Sequence, residues 1–181
     1  MKTLISFAAK LIITLFLSSF LISSNGYSFQ NEPDGFGGIK WGADINSMKK
    51  SFIQSEGNVG LFAGDKDIRV YEKINDNKML GPVKLKDIYY YFWKDKFISV
   101  EIITMGLSNI ASLKGICFER YGNNIEGDRK MNKNFDVYTW KGDLAGISLF
   151  HYDDGKGFEQ GLLRIYSQKM IKQIAGDKVK K

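Results

Sequence analysis

The pattern of apolar and polar positions predicts short strands and helices separated by polar turns. Two stretches, 86–106 and 135–152, are rich in β-branched and aromatic residues and have a polar turn near the middle. Each stretch therefore predicts an antiparallel hairpin. The first is predicted to turn at Asp95 and Lys96, and the second at Gly142 and Asp143. Two further strands are predicted, and they cover residues 67–74 and 161–167.

Apolar residues at helical spacing predict three helices. The central one is capped by Ser108 and closed by Gly122, and an earlier one is capped by Asp44. The apolar positions of the central helix form one stripe, made of Ile110, Leu113, Cys117 and Tyr121. Those of the earlier helix are Ile45, Met48 and Phe52, and those of a short last helix are Met170, Ile171 and Ile174.

The two hairpins resemble each other in sequence. Residues 91–102 align with residues 138–149 without a gap, at a period of 47. Chance similarity between aromatic hairpins is the alternative. An internal repeat predicts an α+β fold in which two related helix-plus-hairpin halves, 36–106 and 107–175, form a mainly antiparallel sheet with helices on one face.

The N-terminus has the pattern of a secretory signal peptide. Lys2 and Lys10 precede an apolar run over 11–22, and small residues follow it. The alternative is an uncleaved membrane anchor, but the run is shorter than the roughly 20 apolar residues that such an anchor needs. We predict that residues 1–26 are removed, that the protein is exported to the periplasm or secreted, and that no membrane span remains. A single domain over 27–176 and a disordered basic tail over 177–181 are then expected.

Charge and cysteine content exclude some classes of function. The formal net charge of +6 falls to +4 without Lys2 and Lys10, and we predict no nucleic-acid binding from so small an excess. Cys117 is the one cysteine, so an internal disulfide is impossible. Its place on a helical stripe predicts a buried, inert thiol.

The segment GFGGIKWG, residues 35–42, poses a choice between a phosphate-binding loop and a close backbone approach. A phosphate loop needs a preceding strand and glycines that lead into a helix. Neither the context nor the glycine spacing fits, so we predict a first strand with Trp41 as a core anchor, and no cofactor.

The order of these segments resembles a group of uncharacterised exported bacterial proteins that open with a G-I-x-W-G segment. The residues that carry the resemblance are GFGGIKWG, the hairpin YYYFWKDKFISVEI, the helix end RYG and the hairpin YTWKGDLAGISL. The tandem layout of helix and sheet is similar to that of the beta-lactamase-inhibitor-like proteins, whose sheet face grips another protein. No inhibitor motif is present, so no inhibitor residue is carried over.

Candidate catalytic or metal-binding residues are few. His151, the one histidine, is close in sequence to Asp153 and Asp154, and together they are a weak candidate metal site. A strand end running into a polar turn explains the same residues. No serine lies in a GxSxG elbow, and no acid pair has a spacing that indicates glycosidase chemistry.

The aromatic pattern carries the main functional prediction. With two-residue turns, the more uniformly apolar face of the hairpins lies under the helices, and the other face mixes aromatic and polar residues. This open face predicts a binding site composed of Tyr90, Phe92, Phe97, Glu101, Lys141, Phe150 and Tyr152. The alternative is that long segments such as 54–66 cover it.

The leading hypothesis is therefore a non-catalytic exported binding module for a protein or a cell-envelope polymer. An envelope enzyme or metal-binding protein centred on His151, Asp153 and Asp154 is the alternative, and a structural envelope protein is a third class.

Overall fold

Antiparallel strands form most of the fold, as expected from the sequence. The protein is described by a computed structural model over residues 29–55, 65–123, 129–132 and 134–179, with backbone only at 129–132. Its helices are α1 (Leu107–Tyr121) and α2 (Gln168–Val179). Its strands are β1 (Gly35–Phe36), β2 (Ile39–Lys40), β3 (Phe52–Gln54), β4 (Ile68–Lys73), β5 (Met79–Leu80), β6 (Val83–Trp93), β7 (Lys96–Met105), β8 (Arg129–Asn132), β9 (Phe135–Lys141), β10 (Ala145–Asp153) and β11 (Glu159–Ser167). The predicted α+β class is confirmed.

The main sheet joins two antiparallel meanders at their last strands. Its order is β3-β4-β6-β7-β11-β10-β9-β8, with β5 paired to β6. The central pair, β7 and β11, places Val100 opposite Ile165 and Glu101 opposite Arg164. Each half of the chain therefore contributes four consecutive strands of this order.

Helix α1 covers one face of the sheet, here called the α1 face. Its stripe of Ile110, Leu113, Cys117 and Tyr121 is buried, as predicted. Three of these residues, with Val100, Leu163 and Trp140, belong to the larger hydrophobic core. Gly122 ends the helix as predicted, but Gly106, with φ 84°, precedes it in place of Ser108. A positive φ favours glycine and lets the chain leave β7 directly into the helix.

Helix α2 lies on the opposite face, here called the α2 face, so the prediction that the helices share one face is wrong. Met170 and Ile174 pack with Val70, Tyr91 and Ile98 in a second core cluster. Val70 and Tyr71 are neighbours on β4 but belong to different clusters, because successive side chains of a strand point to opposite faces.

The last helix also extends beyond the predicted domain end at 176, and residues 177–179 are helical rather than a disordered tail. Two ion pairs tie this turn to the sheet, because Asp177 contacts Lys94 at 2.8 Å and Lys178 contacts Asp65 at 2.8 Å. Residues 180 and 181 lie outside the described residues.

The β6–β7 hairpin differs from its predicted register by one residue. It turns at Lys94 and Asp95, whose φ angles of 46° and 64° are those of a type I′ turn, and not at Asp95 and Lys96. A β-bulge at Ile98 adds a residue to β7, so that Tyr91 pairs with Ser99 and Tyr90 with Val100. A shift of one residue in the pairing moves the side chains of the shifted strand to the opposite face of the sheet. Tyr90 therefore points into the core on the α1 face.

The β9–β10 hairpin keeps its predicted faces. Its loop is two residues longer than expected, with Trp140 opposite Ile147 and Tyr138 opposite Leu149. A shift of two residues preserves the alternation. Trp140 accordingly lies in the core, and its indole Nε1 donates to the Gly122 carbonyl at 2.8 Å.

The GFGGIKWG segment is a small hairpin rather than one strand, because β1 and β2 pair across Gly37 and Gly38. Trp41 is partly buried and stacks on Phe97 with ring centroids 4.9 Å apart, as its predicted role in the core requires. Asp44 caps the next turn by accepting from the Asn46 amide at 2.8 Å. Two short 3-10 turns, Ile45–Ser47 and Lys49–Ser51, stand where one α-helix was predicted.

The predicted 47-residue repeat is not confirmed. An offset of 47 residues aligns β7 with β10. In the sheet, however, the strand of the second half that holds the position equivalent to β7 is β11, since these two strands meet at the centre. The predicted signal peptide, residues 1–26, lies outside the described residues. Neither helix in the described ranges is long and apolar enough to cross a membrane.

Candidate functional site: an aromatic groove

An open groove on the α2 face is lined by six residues, three of which are aromatic. Its volume is about 410 Å³. The lining residues, here called the aromatic groove, are Phe135, Phe150, Tyr152, Gln160, Leu162 and Arg164. At its rim the Tyr152 ring meets the Phe158 ring at 6.2 Å, and these residues are 39% and 45% exposed.

The groove follows from the register of β9, β10 and β11. Phe150 lies between Val137 and Leu162, and Tyr152 lies between Phe135 and Gln160. Alternation puts all six side chains on the α2 face. The buried apolar residues of α2 pack with β4, β6 and β7, and although the helix also contacts β10 and β11, none of its residues lines the groove. The apolar residues over β9–β11 therefore remain partly exposed.

A buried ionic network holds Arg164, the charged residue of the groove lining. Arg164 donates from Nε and Nη2 to one oxygen of Glu101, at 2.7 and 2.5 Å, and the other oxygen accepts from the Tyr91 hydroxyl at 2.7 Å. Glu101 is 1% exposed and Arg164 is 9% exposed. Burial, followed by the hydrogen bond to Glu101, raises the pKa of Tyr91 well above its usual range. The phenol therefore stays protonated and donates to the carboxylate.

Ring contacts fix the shape of the groove floor. The Phe135 and Phe150 rings are 5.9 Å apart and tilted by 40°. The Arg164 guanidinium lies 5.4 Å from the Phe150 ring centroid, within the range of a cation–π contact. The charged group is thus held at the groove by Glu101 on one side and by an aromatic ring on the other.

The predicted binding residues separate into four groups. Phe150 and Tyr152 line the groove. Lys141 is exposed but lies four residues from Phe150 along the hairpin register, roughly 13 Å away. Glu101 is on the α2 face as predicted, but it is buried in the ionic network.

The predicted exposure of Tyr90, Phe92 and Phe97 is wrong. All three are fully buried in the core of the α1 face. The β-bulge at Ile98 moves Phe97 and the neighbouring residues of β6 to the other face, while Glu101, beyond the bulge, keeps its predicted face. Of the two predicted hairpins, the second contributes lining residues to the groove, together with β11.

The weak metal candidates do not form a site. His151 lies 3.9 Å from Asp136 across β9 and β10, on the α1 face. Asp153 accepts from the Gly155 amide, and Asp154 from the amides of Lys156 and Phe158. These bonds are those of a polar turn. Among the described residues, no group of three or more His, Cys, Asp or Glu side chains could hold a metal ion.

The Cys117 thiol has the environment of a packing residue. It is completely buried, and that burial raises its pKa to about 12. A thiolate is therefore disfavoured at neutral pH, where it would be the nucleophile.

Sequence reasoning missed Phe135, Gln160, Leu162 and Arg164. The run GLLRIYS did contain a signal, because Arg164 interrupts an apolar strand. A charged residue in a buried strand needs a partner, which points to a carboxylate on a neighbouring strand. The sequence does not show which strand is the neighbour, since helix α1 and strands β8, β9 and β10 separate β7 from β11 along the chain.

Comparison with known proteins gave no match to a protein-family model, to a curated protein or to a solved structure.

Proposed function

We propose that this protein is a non-catalytic exported binding module and that the aromatic groove is its binding site. The observation that carries the proposal is the set of partly exposed aromatic side chains beside a buried arginine. Aromatic residues and arginine are enriched in interface centres. They give a ligand apolar contact area and a fixed hydrogen-bond donor.

The polar groups of the groove suit binding better than chemistry. Glu101, the acidic partner of Arg164, is buried beneath the guanidinium and only 1% exposed, so it cannot contact a substrate. The other polar lining groups are the Gln160 amide and the Tyr152 hydroxyl. Export is part of the proposal because of the N-terminal pattern of residues 1–26.

A variant with alanine at Phe135, Phe150 and Tyr152 tests the proposal. The matched control carries alanine at Ile53, Leu107 and Leu144, which are exposed apolar residues outside the groove. Quantitative pull-down from a cell-envelope extract should show that the groove variant loses partners that wild type and control both retain. Circular dichroism should show all three proteins folded.

Retention of every wild-type partner by the groove variant would reject the proposal, as would the same losses in the control. Should the triple variant unfold, the single Tyr152→Ala variant replaces it, because this side chain is exposed at the rim. An unchanged partner profile in that folded variant, together with an unchanged profile for Phe150→Ala, would also reject the proposal.

A further inference from the structure

We infer that the ligand of the aromatic groove is an uncharged peptide segment, in which a large apolar side chain lies beside a neutral carbonyl group. The inference rests on the proposed function, since it names the chemistry that the same groove would select. Three features carry it: a free donor on Arg164, the charge balance around that residue, and the small number of polar groups on the groove walls.

The first feature is the unused hydrogen-bonding capacity of Arg164. A guanidinium has five N–H donors. Within the described part of the chain, Nε and Nη2 contact Glu101, and Nη1 has no protein partner. Arg164 lines the groove although only 9% of its surface is exposed. A ligand that covers the groove must offer an acceptor to these N–H groups, because a buried unsatisfied donor is costly.

The second feature is the charge balance. The Arg164 cation already has a full counter-charge in Glu101, which is itself 1% exposed and bound at 2.5 Å. Arg164 is also the charged member of the groove lining. A carboxylate in the ligand would therefore add a second anion near Glu101 without a second cation. Burying an uncompensated charge costs far more than burying a hydrogen-bonded neutral group.

The third feature is the apolar character of the walls. Three aromatic rings and Leu162 contribute most of the lining, and the volume of about 410 Å³ is within the range of small-ligand sites. A sugar carries hydroxyl groups around its ring, and the few polar groups of this groove would leave most of them unpaired. An aromatic or branched peptide side chain fills the same space without that cost.

Two ligands of nearly equal shape test the charge preference. N-acetyl-phenylalanine amide is neutral, and N-acetyl-phenylalanine carries a carboxylate at pH 7. We expect amide signals along β9–β11 to shift in an NMR titration with the neutral ligand, with a Kd on the order of 1 mM for so small a molecule. The carboxylate ligand should bind at least about 10-fold more weakly, and a neutral glucose trisaccharide should not bind measurably.

Glu101→Gln provides a sharper test. This variant removes the counter-charge and leaves the Arg164 cation uncompensated, so the preference should reverse and the carboxylate ligand should bind more tightly than the amide. Glu119→Gln is the matched control, because it makes the same charge change at an exposed position of α1. The control should keep the wild-type preference.

The outcomes separate this inference from the proposed function. Tighter binding of the carboxylate ligand by wild type would overturn the neutral-ligand inference while leaving the groove as a binding site. Tighter binding of the trisaccharide would overturn the peptide assignment. Absence of binding by every probe overturns the inference, and the pull-down then decides separately whether the groove binds anything. If Glu101→Gln does not fold, the wild-type ratio of the two affinities decides alone.

Discussion

Trp93 and Trp140 hold similar places in their hairpins but have different surroundings. Trp140 is completely buried on the α1 face and donates to the Gly122 carbonyl. Trp93 is partly buried on the α2 face, with the Lys94 ammonium 4.7 Å from its ring centroid. The same residue type therefore makes unequal contributions to stability.

Alanine substitution should reveal this difference. Trp140→Ala should lower the free energy of unfolding by about 3–5 kcal/mol, because it opens a cavity and leaves the Gly122 carbonyl unpaired. Trp93→Ala should cost less than half as much, because part of the ring faces solvent. Urea unfolding at neutral pH measures both. Equal losses would show that the two burial environments do not differ as described.

Cys117 offers a test of the packing of α1. Its buried thiol should resist a thiol reagent in the native protein at pH 8 and react at once in urea, because its pKa of about 12 leaves almost no thiolate. Absorbance of the released chromophore follows the reaction. Rapid labelling under native conditions would contradict the burial of this stripe.

Among the elements, the β6–β7 turn stores local strain. Lys94 and Asp95 are both in the left-handed region, with φ of 46° and 64°. The surrounding backbone holds them there, since the Lys94 amide donates to Asp67 and the Asp95 carbonyl accepts from Ile45. Lysine is an unusual choice at such a position, where Asn and Gly are favoured.

Asp95→Gly should raise the free energy of unfolding by about 0.5–1 kcal/mol, because glycine adopts this φ without a steric cost. The lost ion pair with Arg69 is exposed and contributes little. Asp95→Ala is the matched control and should destabilise the protein, since alanine lacks both the freedom of glycine and the local bonding of aspartate. Thermal unfolding of the three proteins gives the order, and a less stable glycine variant would contradict the assignment of strain.

The elements also show how much of the fold the sequence predicted. The helical stripe of α1 and the strands of both hairpins were predictable, because their apolar spacing depends on local geometry. The bulge at Ile98 was not, because one inserted residue leaves no mark on composition but reverses the faces of residues 88–93 on β6. Two of the six lining residues were consequently predicted, Phe150 and Tyr152, because the parity of their hairpin was right. Arg164 was missed, because its position depends on a pairing distant in sequence.

At the scale of the whole molecule, several buried phenols make stability depend on alkaline pH. Burial, with hydrogen bonds to Asp76 and Glu101 respectively, raises the pKa values of Tyr90 and Tyr91, and burial raises that of Tyr121. Their unfolded-state pKa is about 10. The neutral form is thus favoured in the folded state, and the unfolded state loses protons first as pH rises.

The contribution of these phenols to the free energy of unfolding should therefore be constant below about pH 9 and fall above pH 10. Each phenol that ionises only in the unfolded state contributes up to about 1.4 kcal/mol per pH unit. Tyr90→Phe should make this decline less steep, although it lowers stability at pH 7 by about 1 kcal/mol through the lost hydrogen bond. Urea unfolding from pH 7 to 11 measures the slopes. Identical slopes in wild type and variant would contradict the buried state of this hydroxyl.

The junction between the two meanders has a consequence for the order of folding. During synthesis, β7 is complete long before its partner, because Glu101 and Arg164 are 63 residues apart in the chain. Until β11 emerges, the first meander presents the open edge of a long apolar strand, which is a template for pairing with other chains. Closing such a distant pair is slow compared with forming a hairpin. The nascent chain therefore passes through a period in which it is prone to aggregate. A chaperone that binds the nascent chain and shields β7 during this period should raise the yield of folded protein more than a chaperone that acts after the chain is released.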